Sequence, residues 1–136
     1  MPDIRDIANI PGMTSGKKHI LVIDDDARML KVIKLHLHEK YDVATAISGK
    51  IALKFLETKH TDLILLDYAM PDENGLVVLE KLRANPSTQN IPVIFLTGIT
   101  DRKKIQEALV MKPQGYLLKP INRKRLLAAI QNILEA

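Results

Sequence analysis

The sequence predicts an α/β fold, a doubly wound parallel sheet of five strands with five helices in three layers, and three observations carry that expectation. Short apolar runs alternate with segments whose apolar residues recur at three- and four-residue spacing, five times over nearly the whole chain. Hydrophobic residues make up 46% of the 136, yet only two Phe and three Tyr are aromatic, so the interior has to be built from Ile, Leu and Val. Parallel strands need crossover connections, and these are overwhelmingly right-handed, which places helices on both faces of the sheet.

Residues 1–18 hold two prolines and two glycines among scattered charges without sustained periodicity, and are expected to be an arm or linker before a domain over 19–136. The run 19–23, ending Leu21-Val22-Ile23, predicts a strand buried on both faces and stops abruptly in Asp24, Asp25 and Asp26. Over 27–40, Leu30, Ile33 and Leu37, flanked by Met29, share one helical face. A short strand at 43–46 follows, then a helix capped by Ser48 and running to about residue 58, then a second buried strand at 62–67. A loop with Pro71, Asn74 and Gly75 leads to a helix over 76–84, which Pro86 interrupts before a strand at 91–96. Thr100 or Asp101 is placed to cap the next helix, which should stop near Pro113. Gly115 permits the turn into a fifth strand at 116–119, and Asn122 opens a last helix ending near residue 134.

Composition excludes several kinds of chemistry. A chain of this length has room for one domain. With no cysteine there is no disulfide framework, thiolate metal site or cysteine nucleophile, so any chemistry uses oxygen and nitrogen groups. The net charge of +4 comes from dispersed basic residues, with one cluster at Arg123, Lys124 and Arg125 that reads as a solvated helix face, so direct nucleic-acid binding is not expected. No stretch is long and apolar enough for a membrane span, and no apolar core of a signal peptide precedes the domain; a cytoplasmic protein without membrane partners is expected.

In open α/β sheets, ligands bind at the carboxyl ends of the strands. Those ends carry Asp24 and Asp25, Asp67, Thr97 and Lys119. A lone Asp after a strand is more often a turn residue or cap, so the argument rests on the set. Three carboxylates brought together either raise a pKa or recruit a cation, and Mg2+ suits an all-oxygen site of one or two carboxylates completed by water and phosphate. Phosphoryl transfer needs an in-line nucleophile and positive groups around the equatorial oxygens; an Asp carboxylate can form an acyl phosphate, while Thr97 and Lys119 can hold the remaining oxygens.

From Lys18 to the C-terminus the sequence resembles the response-regulator receiver family. The acidic pair closing Ile20-Leu21-Val22-Ile23-Asp24-Asp25-Asp26 and the segment Leu65-Leu66-Asp67-Tyr68-Ala69-Met70-Pro71 carry the resemblance, with Leu96-Thr97-Gly98 and Tyr116-Leu117-Leu118-Lys119-Pro120 completing it. The family implies the flavodoxin-like strand order 2-1-3-4-5. It implies phosphorylation of Asp67, Mg2+ held by Asp25, Asp67 and the Ala69 carbonyl with Asp24 acting mainly through water, and Asp26 as a bystander or cap. Lys119 would pair with the phosphoryl group, Thr97 and Tyr116 would move together as a switch, and the Lys119-Pro120 bond would be cis. The donor would be a histidine kinase or histidine phosphotransfer protein. A downstream effector or output domain, or a second copy in a phosphorylation-dependent homodimer, would read the face made by the fourth helix, fifth strand and fifth helix, including Lys103, Lys104 and Arg123. Such a chain is a switch with only its own phosphorylation and dephosphorylation chemistry, and not otherwise an enzyme.

The segment Met111-Lys112-Pro113-Gln114-Gly115 departs from the small residues the family more often has there, and Pro113 should stiffen it. Ala69 and Ile99, both apolar beside the site, imply slow self-dephosphorylation. Two other readings compete. A haloacid-dehalogenase-type phosphatase would use Asp24 and Asp26 at its characteristic spacing, but it needs a late acidic motif, and Glu135 is the one carboxylate side chain after Lys119. A phosphorylation-independent interaction module would not need the complete set of strand-end residues. His36 and His38 point in different directions on one helix and read as surface residues.

Overall fold

The computed structural model describes residues 16–71, 73–98, 102–110 and 112–135. Within them strand and helix alternate as β1 (Lys18–Ile23), α1 (Ala27–Leu37), β2 (Tyr41–Ala46), α2 (Gly49–Leu56), β3 (Leu63–Asp67), α3 (Gly75–Ala84), β4 (Val93–Thr97), α4 (Arg102–Val110), β5 (Gly115–Leu118) and α5 (Arg123–Leu134). The strands form one parallel sheet in the order β2-β1-β3-β4-β5, as the resemblance implies.

Strand side chains alternate between the sheet's faces, and each face is buried by its own helices. Leu21, Ile23, Ile64, Leu66 and Phe95 pack with Ala52 of α2 and Val78, Leu79 and Leu82 of α3. On the other face Ile20, Val22, Leu65 and Leu96 meet Leu30, Ile33 and Leu37 of α1 and Leu126 and Ile130 of α5. This double burial is why β1, β3 and β4 read as continuous apolar runs instead of alternating ones.

Polar side chains set the helix starts. Asp26 accepts from the backbone N–H of Arg28 and Met29, Ser48 from Ile51, Asn74 from Val77 and Asn122 from Arg125, each satisfying an amide that the first turn leaves unpaired. Helix α1 stops at Leu37 and not at residue 40, because the Lys40 N–H turns back to the Leu37 carbonyl and Tyr41 already pairs with Lys18. Strand β4 begins at Val93, two residues later than expected. The Ile91 amide is held in a turn by the Thr88 carbonyl, Pro92 has no N–H, and the Val93 N–H donates to the Gln114 side-chain oxygen at 2.7 Å.

Helix α4 is described to Val110, short of Pro113, and Lys112 beyond it has φ of 52° and donates its N–H to the Leu109 carbonyl. The cap candidates Thr100 and Asp101, together with Ile99, Met111 and residues 1–15 of the expected arm, lie outside the described residues. The Lys119-Pro120 peptide is cis.

Candidate functional site

Register brings the strand-end residues together. Ile23 of β1 lies opposite Leu66 of β3, so Asp24 and Asp67 emerge side by side; Asp67 in turn lies opposite Leu96, with Thr97 next along β4. Thr97 lies opposite Leu118 on β5, and the Lys119 N–H donates to the Thr97 carbonyl at 2.8 Å, which fixes where the Lys119 side chain starts.

Asp24 is completely buried, and both its oxygens are engaged: Oδ1 accepts the Asp26 N–H at 2.9 Å and Oδ2 accepts from Lys119 Nζ at 3.0 Å. The same ammonium is 3.2 Å from Asp67 Oδ1. Asp67 and Thr97 are buried and Asp25 is exposed. Each of Asp24, Asp25 and Asp67 places a carboxylate oxygen within 4.8 Å of the others.

These groups are electrostatically strained in a defined direction. Burial first, and then the charge of Asp24, push the Asp67 carboxyl up to about 6, while Lys119 pulls the other way. For Lys119, burial disfavours the ammonium, but the hydrogen bond to Asp24 and the attraction of Asp67 outweigh it and raise its pKa above the ordinary lysine value. Among the described residues, one ammonium pairs with this cluster of three carboxylates, which leaves it short of positive charge. An all-oxygen donor set that is partly buried, negative and open on the Asp25 side fits a hard divalent cation.

Two glycines let the surrounding loops close on the site. A Cβ on Gly75 would lie 2.7 Å from the Asp67 carbonyl oxygen and 2.8 Å from Phe95, so α3 can begin against the end of β3 only with glycine there. Its N–H donates to the Tyr68 carbonyl at 2.7 Å. Gly49 similarly leaves space for Val78 and for Glu73 Oε1, while Glu73 Oε2 pairs with Lys81 at 2.7 Å and ties the loop after β3 to α3. Ala69 in that loop is exposed, and an open cleft beside Asp25 is lined by Ser48, Lys50, Met70 and Glu73.

Every site residue expected from the sequence therefore lies at one edge of the sheet except Tyr116, which sits lower on β5 opposite Phe95 and is 41% exposed. Asp26 is the α1 cap. His38 is exposed and His36 partly so. The sequence carries no signal for the Lys119 to Asp24 pair, for the Glu73 to Lys81 tie or for the close approach at Gly75, since each depends on how separate elements dock.

A family model described as "Response regulator receiver domain" matches residues 20–131. Among curated relatives, the chain is 36% identical over 103 residues to a probable cyclic di-GMP phosphodiesterase of Vibrio cholerae, covering 76% of this chain and 23% of that protein. It is 34% identical over 115 residues to the response regulator PleD of Caulobacter vibrioides, covering 84% of this chain and 25% of the relative. The chain thus spans only a part of these relatives. Among solved structures, the Vibrio cholerae chemotaxis protein CheY4 superposes with a TM-score of 0.81 at 28% identity, covering 87% of this chain and 99% of that one. A response regulator receiver domain protein from Methanospirillum hungatei gives 0.80 at 30% identity, covering 88% and 94%. No helix among the described residues is long and apolar enough to cross a membrane.

Proposed function

The chain belongs to the response regulator receiver domain family of two-component signalling, and on that premise we propose that Asp67 accepts a phosphoryl group in a Mg2+-dependent reaction that switches the α4-β5-α5 face. The observation that carries the reading is the single ammonium of Lys119 bridging Asp24 and Asp67, at 3.0 and 3.2 Å, inside a three-carboxylate cluster. A family of switches, and not of turnover enzymes, is the frame for that chemistry.

Asp25, Asp67 and the Ala69 carbonyl would hold the ion, with Asp24 acting mainly through water. Bound Mg2+ supplies charge neutralisation for the transferring phosphoryl oxygens. An ionised Asp67 oxygen attacks the phosphorus of a phosphohistidine on a histidine kinase or phosphotransfer protein. The P–N bond breaks with its electron pair leaving on the imidazole, and an acyl phosphate forms on Asp67. Lys119 exchanges its contact with the Asp67 carboxylate for one with the phosphoryl oxygens, and the Thr97 hydroxyl donates to another. Hydrolysis of the acyl phosphate returns inorganic phosphate and the free carboxylate, and the apolar Ala69 beside the site supports slow loss; its companion position, Ile99, lies outside the described residues.

The output follows from position. Thr97 lies opposite Leu118 and its β4 neighbour Phe95 opposite Tyr116, so inward movement of Thr97 changes the packing under β5, where Tyr116 and Leu118 are 41% and 49% exposed. Tyr116 would change rotamer with it. A downstream effector, an output domain or a second copy would sense that surface, whose basic rim includes Lys103 and Arg123; the Lys104 side chain lies outside the described residues. Phosphorylation shifts populations between two such arrangements by binding one better.

The phosphatase reading is weakened by the fate of its two aspartates, since Asp24 is fully buried and paired with Lys119 and Asp26 caps α1. The direct test is intact mass after incubation with acetyl phosphate and Mg2+. One hydroxylamine-labile phosphoryl adduct on the wild type, absent from Asp67→Asn and from chelator-treated protein, is the expected result. No adduct, or one that survives in Asp67→Asn, refutes Asp67 as acceptor.

A further inference from the structure

The amino ends of the strands carry a second group of titratable side chains, at the edge of the sheet opposite Asp67 and Lys119. His19 of β1 lies opposite Asp42 of β2 in the register, and His60 and Asp62 close the connection from α2 into β3. The His19 and His60 rings meet edge to face with their centres 6.1 Å apart. Their side chains are 44% and 72% exposed, against 19% for Asp62.

Asp62 fixes both histidines. Its Oδ2 accepts the His19 backbone N–H at 2.7 Å, and its Oδ1 lies 2.7 Å from His60 Nε2. A carboxylate can only accept, so in the neutral imidazole Nε2 carries the proton and Nδ1 keeps its lone pair. A carboxylate behind the ring is also how metal-binding histidines are oriented. His19 Nδ1 stands 3.9 Å from Asp42 Oδ2, so Nε2 is the nitrogen farther from that carboxylate. Two imidazoles on one zinc ion, each nitrogen about 2.0–2.1 Å from it at the tetrahedral angle, have ring centres about 5 Å apart. The observed pair is about 1 Å wider, a gap that rotation of exposed side chains closes. Asp42 and Asp62 bring two negative charges, of which Lys18 offsets one at Asp62. An open cleft lined by His60, Asp62, Pro86, Asn90 and Pro92 gives access.

We propose that His19 Nε2 and His60 Nδ1 bind one borderline divalent ion of the zinc class, with water completing its shell and Asp62 holding the His60 ring. Imidazole nitrogen suits such an ion, whereas Mg2+ suits the all-oxygen cluster at the other end of the sheet. The bound ion ties β1 to the connection between α2 and β3.

The full chain is titrated calorimetrically with Zn2+ in millimolar Mg2+, and the imidazole nitrogens are followed in long-range 15N–1H spectra. The expected result is one ion per chain, with the His19 and His60 ring signals shifting together. His19→Gln and His60→Gln should each weaken binding by at least about tenfold, and Asp62→Asn, whose amide oxygen can still accept the His19 N–H, by about tenfold. Both imidazoles are largely exposed, so the histidine variants should retain the wild-type circular dichroism; if one misfolds, the ring signals of the wild type decide the question. Shifts at His36 and His38 instead, one ion shared by two chains, unchanged affinity in either folded histidine variant, or no ring shift at saturating Zn2+ overturns the proposal.

Discussion

Lys119 and Asp24, 95 residues apart in sequence, form a 3.0 Å ion pair that joins the carboxyl ends of β5 and β1 across the site. Asp24 has no exposure of its own, so Lys119 is the cation that makes its buried charge tolerable. Lys119→Met should therefore do two separable things. It should destabilise the protein in chelator by about 1–3 kcal/mol, less than for a deeply buried pair because the site is open to water on the Asp25 side. Millimolar Mg2+ should restore part of that loss, read as a shift in the urea midpoint, while phosphoryl transfer stays slow.

Asp67→Asn should stabilise the metal-free protein at neutral pH. The folded pKa of Asp67 is about 6, above its ordinary value of 3.8, so the ionised form is the one the fold disfavours. The penalty is absent below about pH 4, grows as pH rises toward 6 and is complete above it. Removing the charge should add about 1–3 kcal/mol at pH 7.5, the pull of Lys119 already being counted in the raised pKa, and nothing at pH 3.5. Thermal melts of both proteins in chelator at the two pH values check this; equal gains at both would contradict it.

The same titration competes with metal. Mg2+ requires the ionised carboxylate, so apparent affinity should be flat above about pH 7 and fall by up to about tenfold per pH unit below 6. Calorimetric titrations at pH 5.5 and 7.5 measure the ratio. Asp67→Asn should bind more weakly and lose most of the dependence.

Gly75→Ala places a methyl 2.7 Å from the Asp67 carbonyl oxygen and 2.8 Å from Phe95, neither of which is the free end of a flexible chain. The start of α3 has to move outward. We expect a loss of about 1–3 kcal/mol, in line with overpacked cores, together with slower phosphorylation because the loop carrying Ala69 is displaced. Normal stability with a normal phosphorylation rate would mean the loop gives way without consequence.

Lys112→Gly should stabilise the protein. Lys112 holds φ of 52° while its N–H closes the turn onto Leu109, a conformation that costs a non-glycine residue about 1 kcal/mol, and Pro113 follows it directly. Against the greater freedom of glycine in the unfolded chain, the net gain should be about 0.5 kcal/mol. Chemical denaturation resolves its sign.

The alternation of apolar runs with helical spacing was sufficient, by itself, for five parallel βα units, because strands buried on both faces and helices buried on one leave different periods in the sequence. It was sufficient also for the helix starts at Ser48 and Asn122, whose chemistry is local, while Asp26 was left between bystander and cap; and it was sufficient for Asp24, Asp25, Asp67, Thr97 and Lys119 as one set, because each stands at the end of a strand of one sheet. Strand ends were less legible where a distant residue decides them: β4 starts at Val93 because Gln114 takes its amide, and no local pattern announces that. Tertiary structure alone decided that Lys119 bridges two aspartates, that Gly75 lies against the Asp67 carbonyl and that Glu73 reaches Lys81. Those contacts depend on register and on the angle at which helices settle on the sheet, and both are set by the packing of the whole core, not by any one segment's own sequence.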